Sequence, residues 1–181
     1  DHHTYVVAGD GCLMEGISHE AISLAGQLKL SKLIVLFDDN SICIDGPTDM
    51  TVGDDQQSRF RASGWDVQAV DGHGAEAVAE AIETAKATDT PSMIACKTVI
   101  GYGAPNKQGT SGTHGAPLGD DEIALAREKM GWAHDPFVIP DDVAESWRAV
   151  GSRGANDRAA WESRLNDTDS SEFERVMAGN L

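Results

Sequence analysis

The sequence predicts an α/β protein: a mostly parallel sheet with helices on both faces, followed by a helical tail. Three observations carry this. Apolar, β-branched runs recur at 4–9 (TYVVAG), 32–39 (KLIVLFDD), 65–70 (WDVQAV) and 92–100 (SMIACKTVI). Segments with helical periodicity separate them, which is the pattern of βαβ units. The runs are also apolar almost throughout, as expected of strands covered on both faces.

Each element has its own warrant. After the 4–9 strand, Ile17, Ala21, Leu24, Ala25 and Leu28 share one helical face, so the spacing predicts a helix over 15–30. The 54–64 stretch (DDQQSRFRASG) reads as a short helix stopped by Gly64. An amphipathic helix is expected at 75–88, with Val78, Ile82 and Ala85 inward. Residues 101–119 form a long Gly-rich loop, and loops of that length in compact domains usually carry function. A helix follows at 120–130. Beyond Pro140 the chain reads as polar helices at 141–150, 155–165 and 171–178, so the expected division is a domain over 1–139 and a helical linker over 140–181.

Composition narrows the class of function. The chain has 181 residues and a net charge of −16, from 30 acidic against 14 basic side chains. A basic footprint is what nucleic acid or an anionic membrane requires, so neither is expected as a partner. The acidity reads as solubility or as adaptation to a cation-rich setting. Cys12, Cys43 and Cys96 are scattered and odd in number, which suggests a reducing, cytoplasmic location. No apolar run has the length of a membrane span, and the N-terminus lacks the plan of a signal peptide. The chain starts without Met, directly before a predicted strand, and is expected to be a piece of a longer protein.

Ligands of parallel sheets bind beyond the C-terminal ends of the strands. That edge collects Asp10, the 38–46 segment and the 101–118 segment. Asp10 lies between Gly9 and Gly11, where a phosphate cradle would place no acid. Asn40 follows thirty residues later, one strand–helix–strand circuit on, so both side chains reach the same edge. An Asp carboxylate, an Asn carbonyl and a backbone carbonyl are hard oxygen ligands suited to Mg²⁺, which is usually shared with phosphate oxygens. A cation between Asp10 and a phosphate removes the conflict. Other readings fail: "GDGCLM" lacks the third Gly of a dinucleotide fingerprint and the Lys of a P-loop. Counted from Asp38, an EF-hand would want Gly and Glu where Cys43 and Asp49 stand.

The combination of G-D-G with an Asn about thirty residues on is similar to the signature of thiamine diphosphate enzymes. "GDGCLMEGISHEA", "DDNSICIDG", "TVIGYGAPNKQGT" and "THGAPLGDDEI" together resemble the transketolase family over essentially the whole chain. The resemblance implies the thiamine diphosphate-binding fold, here the C-terminal portion of the diphosphate-binding domain plus the linker towards a pyrimidine-binding domain. It implies transfer of a two-carbon ketol group from a ketose phosphate to an aldose phosphate, with thiamine diphosphate and Mg²⁺ (Ca²⁺ or Mn²⁺ as substitutes). It assigns Asp10, the Asn40 side chain and the Ile42 carbonyl to the metal. Gly11 and Asn40 are assigned to the diphosphate, and Ile44 to the thiazolium ring. His114 is assigned to the diphosphate and the reacting sugar, as the acid–base group.

Glu15 matches an acid at the family's dimer interface; a plain helix N-terminal acid is the other reading. Many relatives carry a second His where this chain has Ser111. His2, His3 and His19 suggest no metal cluster, and His73 and His134 have no partner legible in the sequence. The resemblance further implies a homodimer, with the partner subunit supplying the pyrimidine domain and its activating glutamate. The chain alone is therefore expected to be inactive. Half of a split transketolase, a non-catalytic cofactor-binding remnant and dihydroxyacetone synthase are the alternatives.

Overall fold

The computed structural model describes residues 2–180. They form two compact units, which divide between Trp132 and Ala133.

In the first unit, β1 (Thr4–Gly9), β2 (Leu33–Asp39), β3 (Asp66–Asp71) and β4 (Ser92–Lys97) build one parallel sheet in the order β1-β2-β4-β3. Side chains alternate across it, as the two-residue strand period demands. Val35, Phe37, Met93 and Ala95 face one way, onto α1 (Asp10–Met14), α2 (Gly16–Gln27) and α3 (Gln56–Ala62), where Leu13, Ile22, Phe60 and Trp65 complete the layer. Ile34, Ile94 and Cys96 face the other way, against Ala81 and Ala85 of α4 (Ala75–Ala85). Helices thus cover both faces, as predicted. Phe60 and Trp65 meet edge to face at 4.9 Å, and the Trp65 indole N–H donates to the Ile22 carbonyl at 2.9 Å. That bond satisfies the polar end of a buried aromatic.

Several element boundaries differ from expectation, and three of the differences have a visible cause. The helix expected at 15–30 is α2, which runs from Gly16 to Gln27, and a separate short helix, α1, precedes it across Glu15, whose ψ is extended (141°). The helix expected at 54–64 begins at Gln56, since the Asp55 side chain accepts the Ser58 N–H (3.1 Å) as an N-cap. The strand expected to reach residue 100 stops at Lys97: the Thr98 N–H still donates to the Asp39 carbonyl, but the Val99 N–H turns to the His73 ring.

The register aligns the strand ends. Gly9 pairs with Asp38, Asp38 with Cys96, and Cys96 with Val70. The residues just beyond this row, Asp10, Asn40, Thr98 and Gly72, therefore crowd one edge. α5 (Asp120–Lys129) closes the first unit. The second unit carries α6 (Asp141–Ser152), α7 (Ala155–Asn166) and α8 (Ser171–Met177), none with a buried residue; Trp161 and Phe173 meet edge to face at 6.0 Å within it.

Candidate cofactor site

α1 begins immediately after β1, so Asp10 occupies the first turn of a helix, where a carboxylate is favoured by the exposed N–H groups. Its Oδ2 accepts two successive backbone N–H groups, from Asn40 and Ser41, each at 3.1 Å. Just after these two N–H groups Ser41 takes φ +63°, a conformation that costs a non-glycine residue energy and marks a held turn. The Asn40 side chain is oriented in turn: its Oδ1 accepts the Ile42 N–H at 3.0 Å, and its Nδ2 donates to Asp38 at 3.3 Å. Asp38 also accepts the Thr98 hydroxyl. Lys97 reaches Asp39 (3.1 Å) and the Ser41 hydroxyl (2.8 Å) from β4.

Asp10 and Asn40 thus meet at one sheet edge, and Ile42 joins them through its backbone N–H on Asn40. An amide oxygen has two lone pairs, so Asn40 Oδ1 retains one beyond the Ile42 bond. The 42–47 turn is closed by Cys43 and Gly46, whose N–H groups donate to each other's carbonyls at 2.8 and 3.3 Å, and it presents an exposed Ile44. Gly11 lies beside that turn. A Cβ there would sit 3.7 Å from the Cys43 sulfur, and one at Gly9 would meet open space. Gly9 has φ −85°, so no unusual backbone requires its glycine. Both positions leave clearance that packing against the protein does not use.

Beside Asp10 lies a cavity of about 180 Å³, into which Asp39, Asp54 and Asp55 also project. Desolvation raises the Asp10 carboxyl above its ordinary range; the Asn40 and Ser41 N–H bonds oppose this, and the Asp39 charge adds to it. The Lys97 ammonium, paired with Asp39, acts the other way and lowers it. Among the described residues no three His, Cys, Asp or Glu side chains converge as a self-sufficient metal centre. The donor set suits a cation that also takes ligand oxygens, as Mg²⁺ does with phosphates.

His114 ends the turn Ser111–Thr113 and donates its backbone N–H to the Ser111 carbonyl at 2.9 Å. Its ring is exposed and makes no hydrogen bond among the described residues. The loop that bears it is well tethered. The buried Glu122 accepts both the N–H and the side-chain amide of Asn106, at 2.8 and 2.9 Å. Lys107 donates to the Leu118 carbonyl at 2.8 Å, and the Gln108 side chain accepts the Gly103 N–H at 3.1 Å. Glu15 is exposed at the break between α1 and α2.

Reading the sequence missed two groups here. Thr98 is joined to Asp38, and His73 accepts the Val99 N–H at 3.0 Å while its ring stacks on Tyr102 at 4.0 Å. The signal was available: "VDGHG" follows a strand, so its His belongs to the same sheet edge.

Residues 1–179 match the family model described as "Transketolase, thiamine diphosphate binding domain". The chain belongs to the transketolase family. It is 62% identical over 165 residues to a transketolase of Cereibacter sphaeroides, covering 91% of this chain and 25% of that protein. The transketolase of Campylobacter jejuni superposes with a TM-score of 0.87 at 37% identity, over 97% of this chain and 28% of the other. A Pichia stipitis transketolase, solved in complex with sedoheptulose 7-phosphate, gives 0.85 at 37% identity, over 98% and 27%. The chain spans about a quarter of the length of these transketolases, and the expected α/β fold with its parallel sheet is theirs.

Proposed function

We propose that this chain supplies the diphosphate-and-cation half of a transketolase active site. The observation that carries the reading is the convergence of Asp10 and Asn40 at one sheet edge, with unfilled clearance at Gly9 and Gly11. Asp10, the Asn40 amide oxygen and the Ile42 carbonyl would hold Mg²⁺, with Ca²⁺ or Mn²⁺ as substitutes. Asn40 and the Gly11 N–H would bind the diphosphate, and Ile44 would lie against the thiazolium. Thiamine diphosphate, when bound, supplies the carbon nucleophile that accepts and releases the two-carbon fragment.

What the chain's own residues do follows from their chemistry. Asp10 and Asn40 fix the cation, and through it the diphosphate, without placing a carboxylate against phosphate. His114, with a free imidazole on a tethered loop, moves protons on and off the sugar hydroxyls as the C2–C3 bond breaks and re-forms. The sugar phosphate bound by the Pichia relative supports the substrate class. A homodimer in which the partner supplies the pyrimidine domain, and a cytoplasmic setting, complete the proposal. No helix among the described residues is long and apolar enough to cross a membrane.

The test is a chimaera in which this chain replaces the matching segment of the Cereibacter sphaeroides transketolase. Ketol transfer from xylulose 5-phosphate to ribose 5-phosphate is expected. His114→Ala should lower kcat by about 100-fold or more, the usual weight of a general acid–base group, and weaken cofactor binding by much less. An active chimaera indifferent to His114→Ala would overturn the assignment of that residue.

A further inference from the structure

We propose that His73 is the positioning residue of the loop that carries His114. This rests on the reading of His114 as the acid–base group. His73 leads no chemistry of its own: it stands in the turn after β3, at the far edge of the sheet from β1. Its backbone N–H donates to Asp71 at 3.0 Å, which fixes the residue in the turn. Its Nε2 accepts the Val99 N–H at 3.0 Å, so the ring proton sits on Nδ1. The same ring stacks on Tyr102 at 4.0 Å and 25°. Both contacts fall on the first residues after β4, where the chain leaves the sheet.

That root bears on His114 directly. Gly101, at φ +65°, packs so closely on Thr113 that a Cβ there would lie 2.7 Å from the Thr113 methyl. The Gly109 N–H donates to the Ile100 carbonyl at 2.7 Å. Val99, Ile100 and Gly101 thus form the surface against which the returning limb, residues 109–113, is laid. His114 is the next residue. The sheet edge holds the root from one side through Thr98 and Asp38, and His73 holds it from the other.

The experiment compares His73→Phe, which keeps an aromatic face without an acceptor, with His73→Gln, whose amide oxygen reaches the place of Nε2. Both are made in the chimaera. Amide exchange without cofactor is measured first, so that its outcome does not depend on the role of His114. Val99 should exchange about 5-fold faster or more in His73→Phe, as expected for a lost hydrogen bond. In the assay kcat should fall about 10-fold, with the affinity for thiamine diphosphate and Mg²⁺ changed less than about 2-fold, because a misplaced group costs rate and leaves binding intact. His73→Gln should restore both. Unchanged Val99 exchange in His73→Phe, faster exchange with unchanged kcat, or a Gln variant as impaired as Phe would each overturn the proposal. If His73→Phe does not fold, His73→Asn replaces it, since its amide is too short to reach Val99.

Discussion

Asp10 serves two purposes with one carboxylate: it pins the Asn40–Ser41 turn and carries the charge proposed to hold a cation. The two separate in Asp10→Asn, where an amide oxygen can still accept the N–H groups. Stability by chemical denaturation should change by only about 1 kcal/mol, the weight of an ordinary hydrogen bond, while Mg²⁺-dependent cofactor binding is lost. Glu122 gives a second residue-level test. The Asn106 side-chain bond above all, with its backbone N–H and the Lys107 charge, holds the Glu122 carboxyl below the ordinary value of 4.5. A depressed carboxyl contributes stability above its unfolded value and loses it as pH falls towards the folded one. The wild type should therefore lose stability more steeply below about pH 4.5 than Glu122→Gln, measured by denaturation at successive pH values. Asp10 and Asn40 were legible in the sequence because one strand–helix–strand circuit returns the chain to the same edge. The edge on which His73 stands was legible too, but its partners were not, being a backbone N–H and a ring 26 and 29 residues away.

At the scale of elements, α2 approaches the α3–β3 turn more closely than any side chain would allow. A Cβ on Gly26 would lie 1.7 Å from the Ser63 carbonyl oxygen, which is backbone and cannot rotate away. Gly26→Ala should destabilise the protein by about 1–3 kcal/mol through overpacking, read from denaturant unfolding. The strands were legible because buried parallel strands are written as unbroken apolar runs, and β1 and β2 fell where those runs stand. Helix ends were less so. The apolar period starting at Ile17 located α2, but α1, only five residues long, is too short to show a period of its own. "TVI" continues the apolar run of β4, but the Val99 N–H finds an imidazole where a strand would offer a carbonyl.

At the scale of the molecule, the first unit is proposed to contribute one half of a site, oxygen ligands and a tethered histidine, the activating glutamate coming from a partner's pyrimidine domain. Val7 of β1, at the sheet edge, is 76% exposed, which is unusual for a parallel strand. Expressed alone, residues 1–181 should show no ketol transfer between xylulose 5-phosphate and ribose 5-phosphate; turnover would refute the need for a pyrimidine domain. The family was legible from four motifs in order, and the three helices of the second unit fall close to the ranges expected for them.

The cation bridge is the central claim, and calorimetric titration of thiamine diphosphate with saturating Mg²⁺ tests it most directly. In the chimaera, Asp10→Ala should weaken binding by at least about 10-fold, since even residues that only support a metal ligand are worth that much. Equal affinity in the wild type and Asp10→Ala would contradict the account.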